Sequence, residues 1–302
     1  MMTEERLNEL MRLDAGLVSA ELENQLSSRL SVSESGYPLL REAMLYSVLG
    51  GGKRIRPFLT LEFCRALGGS DEAALPLACG IELMHTYSLI HDDLPCMDDD
   101  DLRRGRPTCH IVYGYSGAML AGDALQAMAF EVTASGRALP PEDSLAAVSA
   151  LAKAAGGDGM CGGQQLDLES EKRRLSFDEL ELTQKLKTGC LIECAARFGV
   201  IAAGKRLDEN IMFAAEEYAF GIGRAFQIID DILDVTGDAA ELGKPVGDDA
   251  RAGKTTFMTY MTPDEAAGYA AALTDRAVKA VSGIDSGGAL SALAVSLLKR
   301  RK

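Results

Sequence analysis

Hydrophobic and polar positions recur at helical spacing along nearly the whole chain. Leucine and alanine return every three or four residues, and alternating runs of β-branched or aromatic residues that would mark strands are few. The pattern predicts an all-α protein, a bundle of long helices. Start signals agree: Ser176 with Glu179 and Thr262 with Glu265 match the reciprocal capping pair, Pro263 suits a first helical position, and Pro140-Pro141 before Glu142 and Asp143 reads as a turn into a helix. Gly50-Gly51-Gly52 and Gly68-Gly69 punctuate the first third, and the glycine-rich polar stretch 237–256 exceeds an ordinary connection, a length that usually accompanies function. Neither an internal repeat nor a linker is present, so a single domain, 1–302, is expected.

Composition narrows the class. With 47% hydrophobic and 25% charged residues, the chain has the make-up of a soluble globular protein. Its formal net charge of -14 repels nucleic acid and anionic membrane surfaces, so neither is expected as a partner, and an anionic ligand needs local cations or metal. Seven scattered cysteines without a C-x-x-C pair fit a reducing cytoplasm better than a disulfide framework or zinc site. Residues 1–17 are too charged for a signal peptide, and the apolar stretch 117–134 is interrupted by Asp123 and Glu131, so no membrane span is expected.

Charge concentrates at His91-Asp92-Asp93-Leu94-Pro95-Cys96-Met97-Asp98-Asp99-Asp100-Asp101, at the end of an apolar helix expected from about Pro76. Carboxylates this close repel one another unless a multivalent cation bridges them, and hard oxygen donors suit Mg²⁺ or Ca²⁺. A solvated acidic turn is the alternative, since Pro95 disfavours helix at Leu94. The second cluster, Asp230-Asp231-Ile232-Leu233-Asp234, sits inside the helix-patterned segment 220–235 with no turn residue among its aspartates. Asp230 and Asp234 there share a helix face about 6 Å apart. Basic residues are grouped too: Lys53, Arg54 and Arg56 follow the triple glycine, and Arg103, Arg104 and Arg106 follow the first acidic cluster. Together these parts point to a metal-bridged diphosphate held between two acidic helices.

The chain resembles the trans-prenyltransferases, the short-chain isoprenyl diphosphate synthases, along nearly its whole length. Gly51-Gly52-Lys53-Arg54-Ile55-Arg56-Pro57, the run from His85 through Thr108, Gly162-Gly163-Gln164, Lys187-Thr188-Gly189, Phe226-Gln227-Ile228-Ile229-Asp230-Asp231-Ile232-Leu233-Asp234, and Lys244 with Lys254 stand in family order. The resemblance implies the isoprenoid synthase bundle around a central substrate cavity, a homodimer, and Mg²⁺, three ions with allylic diphosphate bound, for which Mn²⁺ substitutes. It implies that Asp92, Asp98 and Asp230 ligate the metal with support from Asp93, Asp231 and Asp234. Arg103, Lys187, Gln227, Lys244 and Lys254 would hold the allylic diphosphate (dimethylallyl or geranyl), Lys53, Arg56, His85 and Arg104 the diphosphate of isopentenyl diphosphate, and Thr188 would stand beside the reacting carbons. Asp92, Asp98, Arg103, Lys187, Thr188, Gln227, Asp230 and Lys244 form the implied catalytic set.

Tyr87, with Ser88 beside it, bears on chain length, lying five residues or about 7.5 Å of helix rise before Asp92. An aromatic here, with four residues between Asp92-Asp93 and Asp98, resembles the bacterial farnesyl diphosphate synthases, where it acts as a floor; geranylgeranyl synthases usually lack it. Farnesyl diphosphate is the expected product and geranylgeranyl diphosphate the alternative. Helix spacing turns Tyr87 about 140° from Asp92, which leaves an ordinary core tyrosine as the other reading.

Rival motifs fit less well. His91-Asp92 as an HD-type phosphohydrolase dyad leaves 230–234 unexplained, and the chain has three histidines. Glu82-x-x-His85 lacks the second copy a di-iron bundle needs, and Gly247 to Gly253 has five intervening residues where a P-loop has four. A terpene cyclase needs no isopentenyl site, and a non-catalytic regulatory subunit needs neither aspartate motif intact.

Overall fold

Both capping pairs form: Ser176 and Thr262 accept from the N–H groups of Glu179 and Glu265, whose carboxylates return the bond, so two helix starts lie where local chemistry puts them. The structure is a computed structural model describing residues 2–30, 37–237 and 254–300. Among these, the helices are α1 Glu4–Arg29, α2 Pro38–Val48, α3 Ile55–Ala66, α4 Asp71–Asp92, α5 Cys109–Ala134, α6 Pro141–Ala155, α7 Met160–Ser170, α8 Phe177–Gln184, α9 Cys190–Ala202, α10 Glu209–Thr236, α11 Pro263–Val281 and α12 Ala289–Leu298. Lys244 lies outside the described residues, as does most of 237–256.

Helix α4 is the centre of the bundle, packed by α3, α5 and α9. It begins at Asp71, earlier than the sequence pattern indicates. Ser70 accepts from the Ala73 N–H, Asp71 and Glu72 favour the helix N-terminus, and Pro76, one turn in, is carried inside the helix. Burial from Ala73 to Ile90 outweighs its missing donor. By length and hydropathy α4 passes as a membrane span, but 78% of the relevant window is buried within the protein, which makes it a core helix. The second long helix, α10, packs along α9 and α11. Its Tyr218 is buried, meets Phe63 of α3 edge-on at 5.4 Å, and donates to the Leu290 carbonyl of α12 at 2.7 Å. Leaving that carbonyl unpaired costs about 1–3 kcal/mol.

One element departs from the helical pattern. β1 Leu102–Arg103 and β2 Arg106–Pro107 pair antiparallel, Leu102 opposite Pro107. Arg104 (φ 55) and Gly105 (φ 73) make the two-residue reversal whose twist matches such a ribbon. Two residues per strand are too short to leave a periodic signal.

Candidate active site

The first aspartate cluster leaves α4 at Asp92, with Asp93 as C-cap. The chain then doubles back, because the Asp98 N–H donates to the Asp92 carbonyl at 2.8 Å and the Asp99 N–H to that of Leu94 at 3.2 Å. The turn sets Asp98 beside Asp92. Burial, and then the charges of Asp98 and Asp93, push the Asp92 carboxyl up to about 6 against the pull of Lys187 and Arg103. This unbalanced negative charge fits a divalent cation. Among the described residues no three His, Cys, Asp or Glu side chains come together to hold a metal by themselves. Carboxylate oxygens of this kind suit a hard divalent cation. Asp93 has a different place: it is buried against Arg103 at 2.5 Å, with Asp100 3.4 Å from the same guanidinium.

A cavity of about 380 Å³ opens between α4, α7 and the turn Lys185–Gly189, and Asp92, His85, Tyr87, Ser88, Arg56, Lys187 and Thr188 all line it. Tyr87 thus borders the same space as Asp92 despite its helical phase. The turn has π geometry, a local widening common at functional sites. It presses α7 so closely that a Cβ on Gly163 would stand 2.1 Å from the Lys187 nitrogen, which accounts for glycine there. Lys187 Nζ lies 2.5 Å from the Asp167 carboxylate of α7 and is half-buried. Burial lowers its basicity, yet Asp167, Asp98 and Asp92 together raise it above the ordinary value, so it is a fixed cation.

On α3 and the loop before it, Arg54 takes a left-handed conformation (φ 48), and its buried guanidinium pairs with Glu82 at 2.5 Å and with the Val48 carbonyl. Glu82 is thereby spent on a structural pair, which removes the di-iron reading. Arg104 donates to the Gly51 carbonyl and packs on Gly52 (φ +126), where a Cβ would stand 2.4 Å from its Nη1. Burial, then Arg56, Arg104, Arg103 and Arg54, push His85 well below its usual range, so its imidazole is neutral. Burial lowers Arg56 to about 10, Glu82 opposing and Arg104 adding to the fall. Cations crowded this way form an anion site, and exposed Lys53 stands on the same loop. His91 is fixed differently, its Nε2 3.1 Å from the Met119 carbonyl and its ring against Tyr87, which disfavours a metal dyad.

The second cluster reaches the cavity through Gln227, whose Oε1 accepts from Thr188 Oγ1 at 3.4 Å. Its aspartates are not equivalent. Asp230 is partly exposed and paired with Arg300, whose guanidinium stacks on Phe226 at 4.3 Å. Asp231 is buried and accepts from the Phe257 N–H at 2.7 Å, tying α10 to the segment before α11; Asp234 is buried, and Lys254 is half-buried. Sequence reasoning missed Asp167 and Arg300. Their signals were present, one three residues beyond Gly162-Gly163-Gln164, the other inside Lys299-Arg300-Arg301-Lys302.

Known proteins match this architecture. The chain is 46% identical over 240 residues to a farnesyl diphosphate synthase of Haemophilus influenzae, covering 80% of this chain and 81% of that one. It is 44% identical over 278 residues to a heterodimeric geranylgeranyl pyrophosphate synthase large subunit of Arabidopsis thaliana, covering 89% and 74%. A solved FPP/GFPP synthase structure from Zymomonas mobilis superposes with a TM-score of 0.87 at 37% identity, covering 98% of this chain and 100% of that one. The polyprenyl synthetase family model matches residues 37–281, and with the cavity, the paired acidic clusters and the cationic wall it establishes that this chain belongs to the polyprenyl synthetase family.

Proposed function

We propose that the protein is a prenyltransferase that joins isopentenyl diphosphate head to tail to dimethylallyl and then geranyl diphosphate, giving (2E,6E)-farnesyl diphosphate and diphosphate. The observation that carries this is the single cavity lined at once by Asp92, the cations Arg56 and Lys187, and Tyr87. The chain acts as one domain, 1–302. In this reading Asp92, Asp98 and Asp230 hold Mg²⁺ with the allylic diphosphate, and Asp93, Asp231 and Asp234 act behind them by fixing Arg103 and the helix end. Bound there, the metal neutralises the departing diphosphate. Lys187, Arg103, Lys254 and Lys244 hold that diphosphate, and Arg56, Arg104, Lys53 and neutral His85 hold isopentenyl diphosphate. When the allylic C–O bond ionises, Thr188 and Gln227 turn oxygen dipoles toward the carbocation, and the closed wall keeps water away. The isopentenyl double bond then attacks, a C–C bond forms, and a proton leaves to the released diphosphate.

Tyr87, 6% exposed, closes the cavity wall and favours the farnesyl product over the geranylgeranyl one. A homodimer fits the five large apolar side chains exposed within ten residues of α5: Ile111, Val112, Tyr115, Met119 and Leu120. All seven cysteines are free, in keeping with a cytoplasmic setting. The test is to incubate the protein with Mg²⁺, isopentenyl diphosphate and either starter and identify the dephosphorylated alcohols by gas chromatography with mass spectrometry. Farnesol is expected. Geranylgeraniol as the main product would overturn the chain length, and no condensation would overturn the reaction.

A further inference from the structure

Tyr87 does not hold its place in the cavity alone. Its hydroxyl lies 3.5 Å from Cys161 Sγ on α7. Its ring meets the His91 ring edge-on, centroids 5.6 Å apart and planes at 89°. His91 is fixed in turn by the Met119 carbonyl of α5. The ring of this α4 residue is therefore tied at its tip to α7 and, through His91, at its edge to α5. Burial and the Cys161 contact push the phenol above its ordinary range, Gln126 acting the other way, so the hydroxyl keeps its proton at working pH.

A tyrosine on a helix has two common χ1 wells, and nothing in the ring itself selects between them. A weak hydrogen bond of about 0.5–1.5 kcal/mol shifts such a choice by roughly two- to tenfold. Cys161 also lines the cavity itself and is exposed there, so losing its sulfur both frees the phenol and opens space where a growing prenyl chain would go.

We propose that Cys161 is a positioning residue that latches the Tyr87 hydroxyl, so that product length is set by this pair and not by the aromatic ring alone. The inference rests on the condensation reaction proposed above and extends it to the residues that fix the floor. It predicts that a ring without its hydroxyl is a leaky floor, although nearly all of its volume remains.

The experiment compares wild type with Tyr87→Phe, Cys161→Ala and Cys161→Ser, each given geranyl diphosphate and excess isopentenyl diphosphate. The readout is the geranylgeraniol to farnesol ratio at equal total isopentenyl incorporation, which does not depend on how much of a preparation is folded. Tyr87→Phe and Cys161→Ala are expected to raise the ratio about tenfold, the lower end of what a methylene-sized change in a pocket discriminates. Cys161→Ser, which keeps a polar partner, is expected to stay within about twofold of wild type. The Tyr87→Phe, Cys161→Ala double variant should exceed neither single by much, since both remove one contact. A wild-type ratio in Cys161→Ala, or an equal rise in Cys161→Ser, overturns the latch. Failure of the wild type to condense at all overturns the reaction itself, and that result appears before any variant is compared.

Discussion

Lys187 on the π turn and Asp167 on α7 form an ion pair of 2.5 Å that joins the two walls of the cavity. The pair holds the ammonium next to Asp92 and Asp98. Asp167→Asn keeps the shape but removes the charge that anchors Lys187. Losing one charged hydrogen bond of about 1.5–3 kcal/mol predicts a fall in kcat/KM for the allylic substrate of roughly 10- to 100-fold. Steady-state kinetics with geranyl diphosphate varied provide the check, and an unchanged KM with unchanged kcat would show that Lys187 is placed without Asp167.

In the proposed reading the aspartates divide into those that hold the metal and those that hold structure. Asp92→Ala or Asp230→Ala is expected to lower kcat by at least ~10³, about 4 kcal/mol of barrier. Asp231→Ala strips the acceptor from the buried Phe257 N–H, so it is expected to destabilise the protein by about 1–3 kcal/mol. Thermal melts beside single-turnover rates distinguish the two groups. A normal melt for Asp231→Ala would place it with the ligands.

Much of this was legible in the sequence, and what was not has a physical cause. Capping pairs at Ser176 and Thr262 and the apolar spacing of α10 are local signals, so the starts of α8 and α11 and the helix carrying the second acidic cluster are readable from the sequence, whereas the start of α4 at Asp71 is not. The phase of a single helix does not show what its neighbours bring to it. Tyr87, about 140° from Asp92 by helix phase, lines the same cavity because α7 approaches α4 on that side. Asp92 and Asp93 are adjacent yet have different partners because the Asp98 turn and the Arg103 ribbon capture one each. Such long-range pairings leave no periodicity.

The raised carboxyl of Asp92, at about 6, has consequences for pH. A carboxyl whose value is higher folded than unfolded (3.8) binds more protons in the folded state between about 4 and 6, so its contribution to stability falls as pH rises through that window. Without metal, Asp92→Asn is therefore expected to melt about 6 °C above wild type at pH 7.5, for about 3 kcal/mol in a chain this size, and the gap should narrow below about pH 6 and close near pH 4. Protons and cation compete for the same oxygens. The Mg²⁺ concentration needed for half-maximal rate should therefore rise as pH falls below about 6. A gap that widens on acidification would reverse the assignment.

The exposed apolar stretch of α5 predicts assembly. Sedimentation of the wild type should give twice the 32.2 kDa chain mass. Leu120→Asp, at a side chain 56% exposed in the single chain, should shift it toward monomer by placing an unpaired charge in the interface. A monomeric wild type would leave that face to another partner.

Arg300 pairs with Asp230 across 70 residues of sequence while its guanidinium stacks on Phe226. A cation bound at Asp230 must displace or share this partner, so Arg300 acts as a counterion that lowers metal affinity in the absence of substrate. Arg300 is largely buried and Asp230 partly exposed, which puts the pair near the upper end of the about 0.2–1 kcal/mol typical of accessible ion pairs. Arg300→Ala is thus expected to tighten Mn²⁺ binding by roughly two- to fivefold, read from the free Mn²⁺ signal in electron paramagnetic resonance titrations without substrate. If the guanidinium instead helps hold diphosphate, the same variant should leave Mn²⁺ binding unchanged and raise KM for the allylic diphosphate. The two readouts move independently, so one set of titrations decides between a counterion and a substrate ligand.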